Sequence, residues 1–302
     1  MRGIILSTIV LSVLTLVGQS QIPYTLTATD VTVVNGIITS STLTNARGDN
    51  YQPNIIIPEM LDGQVVTGIG ESAFRDNSLS SVELPAGITS IGNGAFKYNS
   101  LTSITLPVGL TTIKKSAFEA NNLTSVTFPD GLRSIESSAF RDNSLATVDL
   151  PTGLNTIGDF AFQNNRLTRV TLPPKLTTIE ERAFNVNFLL SVELPVGLTT
   201  IEDSAFRDNR LTHIDLPATL TTIGQRAFLA NRLTHVELPA GLTFIGEHTF
   251  SSNSRLASFV LPKVSTVGNS VRWQSSDGTI LDKDHVILPA YFGNSYSVII
   301  LE

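Results

Sequence analysis

Two histidines and two carboxylates are spaced in a way that would suit a metal site. His213 and His235 are 22 residues apart, and Asp215 and Glu237 each follow their histidine by two residues. On neighbouring strands the two pairs would face the same way, about 4.8 Å apart. Imidazole and carboxylate groups are ligands for zinc and other divalent metals. Four exposed polar side chains on a strand surface explain the same pattern more simply, so we predict no metal and no other cofactor.

The sequence also lacks the usual signatures of catalysis. It contains no GxSxG, HExxH or phosphate-loop pattern. Gly68-Ile69-Gly70 lacks the third glycine and the βαβ context of a dinucleotide site. The chain has no Cys, which excludes disulfides, zinc ribbons and thiol nucleophiles. Because no nucleophile lies at a recognisable spacing from a base, we predict that the protein is not an enzyme and disfavour a hydrolase.

A 22-residue repeat must position every side chain named above. Phenylalanine recurs at this interval, and Ala precedes each Phe except the last: Phe74, Phe96, Phe118, Phe140, Phe162, Phe184, Phe206, Phe228 and Phe250. The unit reads A-F-x-x-N-x-L-x-x-[VI]-x-L-P-x-x-L-x-x-I-x-x-x, where later positions vary slightly. A period of this length is typical of a solenoid, in which each repeat forms one coil.

The physics of one repeat explains why it must stack. Val82 and Leu84 are two residues apart and therefore face the same way on a short strand, which Pro85 ends because it has no N–H. The Ser-Ala-Phe segment fits a single helical or 3₁₀ turn whose Phe points inward. Six large apolar residues stabilise one coil by roughly 9–18 kcal/mol, less than the roughly 33 kcal/mol needed to order 22 residues. We therefore predict a right-handed, β-rich solenoid of short parallel strands and single-turn helices, stable only as an array.

Asparagine recurs three residues after each Phe. At a coil corner, an inward amide can both donate to and accept from free backbone groups. An unpaired buried amide would cost about 1–3 kcal/mol, so we expect every copy to be hydrogen-bonded and assign this column a structural role: Asn77, Asn99, Asn121, Asn143, Asn165, Asn187, Asn209, Asn231 and Asn253.

The repeat resembles the BspA-like class of leucine-rich repeats. The resemblance is carried by Leu101-Thr102-Ser103-Ile104-Thr105-Leu106-Pro107, by Leu110-Thr111-Thr112-Ile113 and by Ser116-Ala117-Phe118. It spans about residues 53–262, which we interpret as nine coils. Many copies in that family carry Cys at the corner where this chain has Asn. The resemblance implies an exported or cell-surface protein that acts in adhesion, without indicating a particular ligand.

The N-terminal residues have the layout of a secretory signal peptide. Arg2 gives a basic start, residues 4–17 are apolar and uncharged, and Gly18 to Gln21 are small or polar. About 14 apolar residues are too few to span a bilayer, which requires roughly 20. We therefore predict a signal peptide at residues 1–20, a secreted or cell-surface location, and no membrane span in the mature chain.

The segments that flank the repeats predict terminal caps. Asn35-Gly36 lies between two alternating apolar runs, which is a strong hairpin signal. We predict that residues 21–52 form a β-hairpin cap over the first coil, because an uncovered coil end is an aggregation-prone edge. Short strand-like runs continue after Pro262, and residues 263–302 are predicted to form either a C-terminal β cap or a small β module.

An acidic column is the main candidate for a binding face. The outward strand position contains only Glu, Asp or Thr in eight coils, and its acidic members are Glu83, Asp149, Glu193, Asp215 and Glu237. With a net charge of −6, such a column would attract cationic partners and repel nucleic acid. His213 and His235 lie beside it. A solvated surface explains the same residues, and that alternative stays open.

A second candidate lies directly after the Asn column. Here Arg166, Arg210 and Arg232 are interrupted by Phe188, with Leu190 nearby. Exposed aromatic residues beside Arg resemble interaction hot spots, although a local packing defect would also explain Phe188. The predicted partner is an extracellular or surface protein, or a glycan, and not a nucleic acid.

Three functions are therefore compared. We favour a non-enzymatic binding scaffold that mediates protein or cell-surface adhesion through the solenoid face. The alternative is a passive structural spacer at the cell surface. A minor alternative is an ice- or carbohydrate-binding solenoid, suggested by paired threonines at one edge of several coils: Thr111-Thr112, Thr177-Thr178, Thr199-Thr200 and Thr221-Thr222. Thr is also a common β-surface residue.

Overall fold

The computed structural model describes residues 22–43, 53–256, 258–261, 272–274, 280–281 and 297–300. The predicted signal peptide at residues 1–20 lies outside these ranges. Short strands account for the regular structure of the described chain, and none of its segments forms a helix. In particular, it contains no helix long and apolar enough to cross a membrane.

The strands are two to five residues long and recur in each coil. In chain order they are β1 (Tyr24–Thr25), β2 (Val31–Val34), β3 (Ile37–Ser41), β4 (Asn54–Ile56), β5 (Met60–Leu61), β6 (Gln64–Val65), β7 (Gly68–Ile69), β8 (Ser81–Glu83), β9 (Ser90–Ile91), β10 (Ser103–Thr105), β11 (Thr112–Ile113), β12 (Ser125–Thr127), β13 (Ser134–Ile135), β14 (Thr156–Ile157), β15 (Arg169–Thr171), β16 (Thr178–Ile179), β17 (Ser191–Glu193), β18 (Thr200–Ile201), β19 (Thr222–Ile223), β20 (His235–Glu237), β21 (Phe244–Ile245), β22 (Ser258–Leu261), β23 (Arg272–Gln274), β24 (Ile280–Leu281) and β25 (Ser297–Ile300).

Two walls of the solenoid are parallel ladders whose register follows the sequence period. In the first wall, which consists of the strands before each Leu-Pro, Ile104 of β10 lies opposite Val126 of β12. In the second wall, Ile113 of β11 lies opposite Ile135 of β13. Equivalent residues are therefore neighbours in adjacent coils, which confirms the predicted parallel β-solenoid.

The third wall is made of turns. Within one coil, Ala95 N–H donates to Gly92 C=O at 3.2 Å, and Lys97 N–H donates to Gly94 C=O at 3.0 Å. Between coils, Phe96 N–H donates to Ala117 C=O at 2.9 Å. The single-turn helices predicted at the Ser-Ala-Phe segments are therefore not found in the described residues. Alternate N–H groups, such as those of Phe96 and Tyr98, bind along the solenoid axis to the next coil, and those between them close turns within the coil rather than a helix.

The backbone conformation of these turns explains this difference. The residues two before and two after each Phe adopt positive φ, as at Ser116 (56°) and Ala120 (55°) on either side of Phe118. A left-handed residue on each side interrupts the run of right-handed φ angles that a helix requires. The two turns orient the backbone of the Phe between them so that it hydrogen-bonds to the neighbouring coil, as Phe118 N–H does to Ala139 C=O.

The core is a continuous stack of the nine repeat phenylalanines. All nine are fully buried, and their eight successive ring pairs have centroids 5.4–5.7 Å apart with planes within 10° of parallel. The repeat Leu and Ile residues surround this stack and are also buried. Each coil thus covers the apolar surface of the next, as expected for an array that is stable only when stacked.

The N-terminal flank contains the predicted hairpin. Strands β2 and β3 pair in an antiparallel manner around Asn35 (φ 52°) and Gly36 (φ 75°), which form a two-residue turn with positive φ at both positions. Strand β3 also pairs in parallel with β7, so the hairpin extends the second wall. A second hairpin, which we did not predict, joins β5 and β6. Its turn residues, Asp62 and Gly63, have the same positive φ angles.

At the C-terminal end, both walls continue beyond the regular repeats. Strand β22 pairs with β20 and β25, and β23 pairs with β21. Of the predicted C-terminal segment at residues 263–302, only residues 272–274, 280–281 and 297–300 are described. Capping by residues 21–52 and by residues 263–302 stays a prediction.

Candidate functional site

The acidic column lies on the outer surface of the first wall. All eight outward positions are exposed: Glu83, Thr105, Thr127, Asp149, Thr171, Glu193, Asp215 and Glu237. Six of the eight lie on strands, whereas Asp149 and Asp215 lie in extended segments without regular strand pairing. The preceding residue is buried in every case except the half-buried Val126, as Val192 is before Glu193. Thr171 lies directly opposite Glu193 in the parallel pair of β15 and β17. The column therefore presents one polar or acidic side chain per coil.

The two histidine pairs do not converge on a metal site. His213 Nε2 lies 2.7 Å from Asp215 Oδ1, and both side chains are exposed. His235 is half-buried on β20, and Glu237 is exposed two residues later. Among the described residues, no group of three His, Asp or Glu side chains is arranged to hold a metal ion. The arrangement is a local imidazole–carboxylate contact at the edge of the acidic column.

Next to the acidic column, one coil carries a row of exposed apolar side chains. Val186, Phe188 and Leu190 are 40%, 39% and 52% exposed, and they alternate with the buried Asn187 and Leu189. We name Val186, Phe188 and Leu190 the apolar row. The sequence pointed to Phe188 and Leu190 but not to Val186. The exposure of Val186 could have been predicted by comparing coils, because the residues at the equivalent positions in the neighbouring coils, Asn164 and Asp208, are polar.

An arginine column crosses the apolar row. Arg166, Arg210 and Arg232 are exposed at the positions equivalent to Phe188 in nearby coils. The guanidinium carbon of Arg210 lies 4.3 Å from the centroid of the Phe188 ring, which is a close cation–π contact. Backbone hydrogen bonds from Phe188 N–H to Leu167 C=O, and from Arg210 N–H to Leu189 C=O, hold the three coils together.

The Asn column lies in the interior and binds the backbone of two coils. Asn187 Nδ2 donates to the carbonyls of Phe162 (2.9 Å) and Phe184 (3.2 Å), and its Oδ1 accepts from Leu167 N–H at 3.0 Å. The same three contacts recur from Asn99 to Asn231. Asn77, at the first coil, instead donates to Leu43 C=O and accepts from the Ser41 hydroxyl. None of these amides faces the surface.

A shallow groove opens between β8 and β10, two neighbouring strands that are not hydrogen-bonded to each other. Its volume is about 590 Å³, and its lining includes Glu83, Thr105 and the exposed Val108. The sequence did not predict this groove, because the repeat pattern in these two coils is regular. The groove places one member of the acidic column beside apolar surface.

Two of the four threonine pairs use their first hydroxyl group internally, and Thr243 in the following coil does the same. The hydroxyls of Thr199, Thr221 and Thr243 donate to the backbone carbonyls of Thr177, Thr199 and Thr221, at 3.0–3.1 Å. A hydroxyl that donates to the backbone cannot also donate to an ordered water or a sugar. These contacts therefore weaken the case for an ice- or carbohydrate-binding surface.

An acidic cluster lies on the turn wall, away from the acidic column. Burial raises the pKa of Glu180, and the charges of Asp159 and Glu202 raise it further. Burial also raises the pKa of Glu202, with added repulsion from Asp203, Asp159 and Glu181. This cluster destabilises its own ionised form and is not part of the candidate binding face.

Comparison with known proteins identifies the repeat. A family model described as BspA type leucine-rich repeat region matches residues 67–190 and 187–274, with six copies. No curated protein sequence matches the chain significantly.

Two bacterial proteins of known structure have a similar architecture. A leucine-rich repeat protein from Bacteroides ovatus is 24% identical with a TM-score of 0.61, and the match covers 68% of this chain and 62% of that protein. The pneumococcal vaccine antigen PcpA is 22% identical with a TM-score of 0.58, over 93% of this chain and 89% of that chain. This chain thus spans less than two thirds of the Bacteroides protein, and at these identities both structures support the fold alone.

Proposed function

Because the chain belongs to the BspA-type leucine-rich repeat family, we propose that it is an exported, non-enzymatic scaffold that binds a protein or a cell surface. The observation that carries this proposal is the outer surface of the first wall, where eight coils present one acidic or Thr side chain each. An extended face of regularly spaced side chains is how solenoid proteins contact their partners.

Electrostatics supports a selective partner. The acidic column would attract cationic surfaces and repel polyanions, so nucleic acid is disfavoured. Glu193 follows Leu190 of the apolar row by three residues, and Asp215 is its equivalent in the next coil. Hot spots at protein interfaces combine aromatic and Arg side chains with a polar rim. The partner is accordingly an extracellular or surface protein, with a glycan as the second choice.

The N-terminal sequence supports export. Arg2 followed by an apolar run at residues 4–17 has the layout that secretion requires. An exported binding protein without Cys would be insensitive to an oxidising surrounding. The export step is testable by N-terminal sequencing of the protein recovered outside the cell, which should begin near residue 21.

The stiffness of the core favours a second function, that of a passive spacer. Eight stacked Phe pairs with nearly parallel rings join consecutive coils without a break. Such a rod would hold a neighbouring segment away from a surface without binding anything itself. The two functions differ in whether the exposed columns matter.

A charge-matched pair of variants separates the two functions. The test variant replaces Glu193, Asp215 and Glu237 with Ser, and the control replaces Asp159, Glu181 and Asp203 on the turn wall with Ser. Both lose three negative charges. The binding function predicts that the full chain attaches less to cells or matrix proteins only when the acidic column is changed. Equal attachment of the parent and both variants would show that the acidic column does not contribute to binding, as the spacer function requires.

A further inference from the structure

The apolar row is an exception in an otherwise regular surface. In the coils on either side, the three equivalent outward positions are Asn164, Arg166 and Thr168, and then Asp208, Arg210 and Thr212. In this coil all three positions are apolar and exposed, although Asn187 and Leu189 between them keep their usual buried places. The coil is therefore folded like its neighbours, and the apolar row is not a packing defect.

The arginines around the apolar row lack acidic partners. Arg141, Arg182 and Arg207, at other positions of the repeat, each form an ion pair with a neighbouring Asp or Glu. Within the part of the chain that the structure describes, Arg166, Arg210 and Arg232 form no such pair. Their charges are thus available to a partner, and Arg210 already covers one face of Phe188.

We propose that the apolar row and the arginine column bind an extended acidic segment of a partner protein. The segment carries one large aliphatic side chain between two carboxylates, in the pattern acid–x–aliphatic–x–acid. The aliphatic side chain packs on Phe188 and Leu190, and the two carboxylates contact Arg166 and Arg210. This inference rests on the proposed binding function and names the chemistry of its partner.

The spacing of the column suits such a segment. Neighbouring strands in a ladder are about 4.8 Å apart, and the buried Phe rings of these coils are 5.6–5.7 Å apart, whereas alternate side chains of an extended chain are about 6.6–6.8 Å apart. The mismatch is about 1–2 Å per step, and it accumulates to about 2–4 Å between Arg166 and Arg210, a distance that flexible Arg side chains can span. A segment lying along the solenoid axis therefore meets Arg166, Phe188 and Arg210 in turn.

The surrounding charges set the position of the segment. Beyond Leu190, the exposed Glu193 and Asp215 would repel a carboxylate placed over the strands. On the other side of the row, Asp208 is paired with Arg207 at 3.1 Å. Carboxylates of the partner are thus favoured over the arginine column and disfavoured on the acidic column.

The apolar row also favours a protein over a polyanionic glycan. A sulfated glycan would use the three arginines but would leave Val186 and Leu190 exposed to water, and its further charges would approach the acidic column. A peptide buries both the charges and the apolar surface. Burial of the aliphatic contact adds to the charge-assisted bonds of the two arginines.

Selection from a random peptide display library against the full chain tests this inference. Selected peptides are then synthesised, and their Kd values are measured for the parent and for the single variants Phe188→Ser and Arg210→Ser. Val196→Ser and Lys175→Ser are the matched controls, because both residues are exposed and lie away from the apolar row. Unchanged thermal melting shows that each variant is folded.

The expected result is enrichment of acid–x–aliphatic–x–acid peptides whose Kd rises at least about tenfold for Phe188→Ser and for Arg210→Ser, as for hot-spot residues, but not for either control. Three results would overturn the inference: selection on the parent chain enriches no peptides beyond those selected on the Phe188→Ser variant, the selected peptides contain no acidic residues, or neither variant weakens their binding. Binding of a heparin hexasaccharide that depends on Arg210 but not on Phe188, with no peptide selected, would assign the surface to polyanions instead. If cell or matrix attachment persists while the peptides fail, this inference is wrong and the proposed function stands.

Discussion

The side-chain amide of Asn121 donates a 2.9 Å hydrogen bond to the carbonyl of Phe96, which belongs to the preceding coil. The Asn121 carbonyl oxygen accepts from Leu101 N–H of that same coil at 3.1 Å, and its amide also reaches the Phe118 carbonyl of its own coil at 3.2 Å. One buried side chain therefore joins two coils at the point where a strand and a turn meet.

Replacing Asn121 with Ala should destabilise the protein by about 2 kcal/mol. The carbonyls of Phe96 and Phe118 each keep a second Asn donor, Asn99 and Asn143 respectively. Leu101 N–H, however, is left buried without an acceptor, at a cost of about 1–3 kcal/mol. The measurement is the free energy of unfolding in urea.

The control for this change is its neighbour Asn122, which is exposed. Asn122→Ala removes the same side chain from the same coil and should change the free energy of unfolding by no more than about 0.5 kcal/mol. Equal losses for the two variants would mean that the Asn column does not stabilise the coil junctions.

The Phe stack supports a second prediction. Phe162 is fully buried between Phe140 and Phe184, so Phe162→Ala removes two ring contacts and leaves a cavity. Such truncations cost about 3–5 kcal/mol. Urea unfolding should show this loss, whereas Phe188→Ala, at an exposed Phe, should cost less than about 1 kcal/mol. A similar cost for both would contradict a core built on the stack.

The solenoid could be predicted from the sequence because the positions that keep the same apolar residue type in every repeat are the buried ones. A residue such as Phe118 is inward in every coil, so its type is preserved at every copy, and the same holds for the apolar strand positions. The turns were predicted less well. Ser116, Phe160 and Arg182 occupy the same left-handed position, and side chains this different give no common signal for positive φ.

The candidate site was only partly visible in the sequence. Outward positions are free to vary, so the acidic column and Phe188 stood out by their types. The exposure of Val186 was not visible in its residue type, because an apolar residue in a repeat protein is ordinarily expected to be buried. The groove between β8 and β10 depends on a missing hydrogen-bonded pairing between two strands, which no residue type in those strands indicates.

The left-handed turn position predicts a stabilising change. Val186 adopts φ 54°, a conformation that costs a β-branched residue about 1–2 kcal/mol. Asn164 has the same φ of 54° at the equivalent position, and Asn tolerates this region better than Val. Val186→Asn should therefore raise the free energy of unfolding by about 1 kcal/mol.

Val196→Asn is the matched control for this change. Val196 is 84% exposed in the same coil and does not have positive φ, so replacing it should leave the free energy of unfolding unchanged. If both variants gain the same stability in urea, the gain comes from removing exposed apolar surface rather than from relief of backbone strain.

The acidic cluster of the turn wall predicts a pH-dependent gain in stability. Burial and neighbouring carboxylates raise the pKa of both Glu180 and Glu202 in the folded protein. The folded state then binds more protons than the unfolded chain between the ordinary glutamate pKa of 4.5 and the raised value. The contribution of the pair to stability therefore increases as the pH falls through the raised pKa, and it becomes constant below the ordinary one.

Replacing both Glu180 and Glu202 with Gln removes this penalty at neutral pH. The Tm of the double variant should exceed that of the parent at pH 7 by about 1–2 °C, a small effect because solvent screens these half-buried groups. At pH 4 the difference should vanish, since the parent carboxyls are then protonated in the folded state. Glu83→Gln with Glu237→Gln, an equal charge change on exposed residues far from the cluster, should show no such dependence between pH 4 and pH 7. A gain for the Glu180 and Glu202 variant that is the same at both pH values would mean that repulsion within the cluster does not limit the stability of this wall.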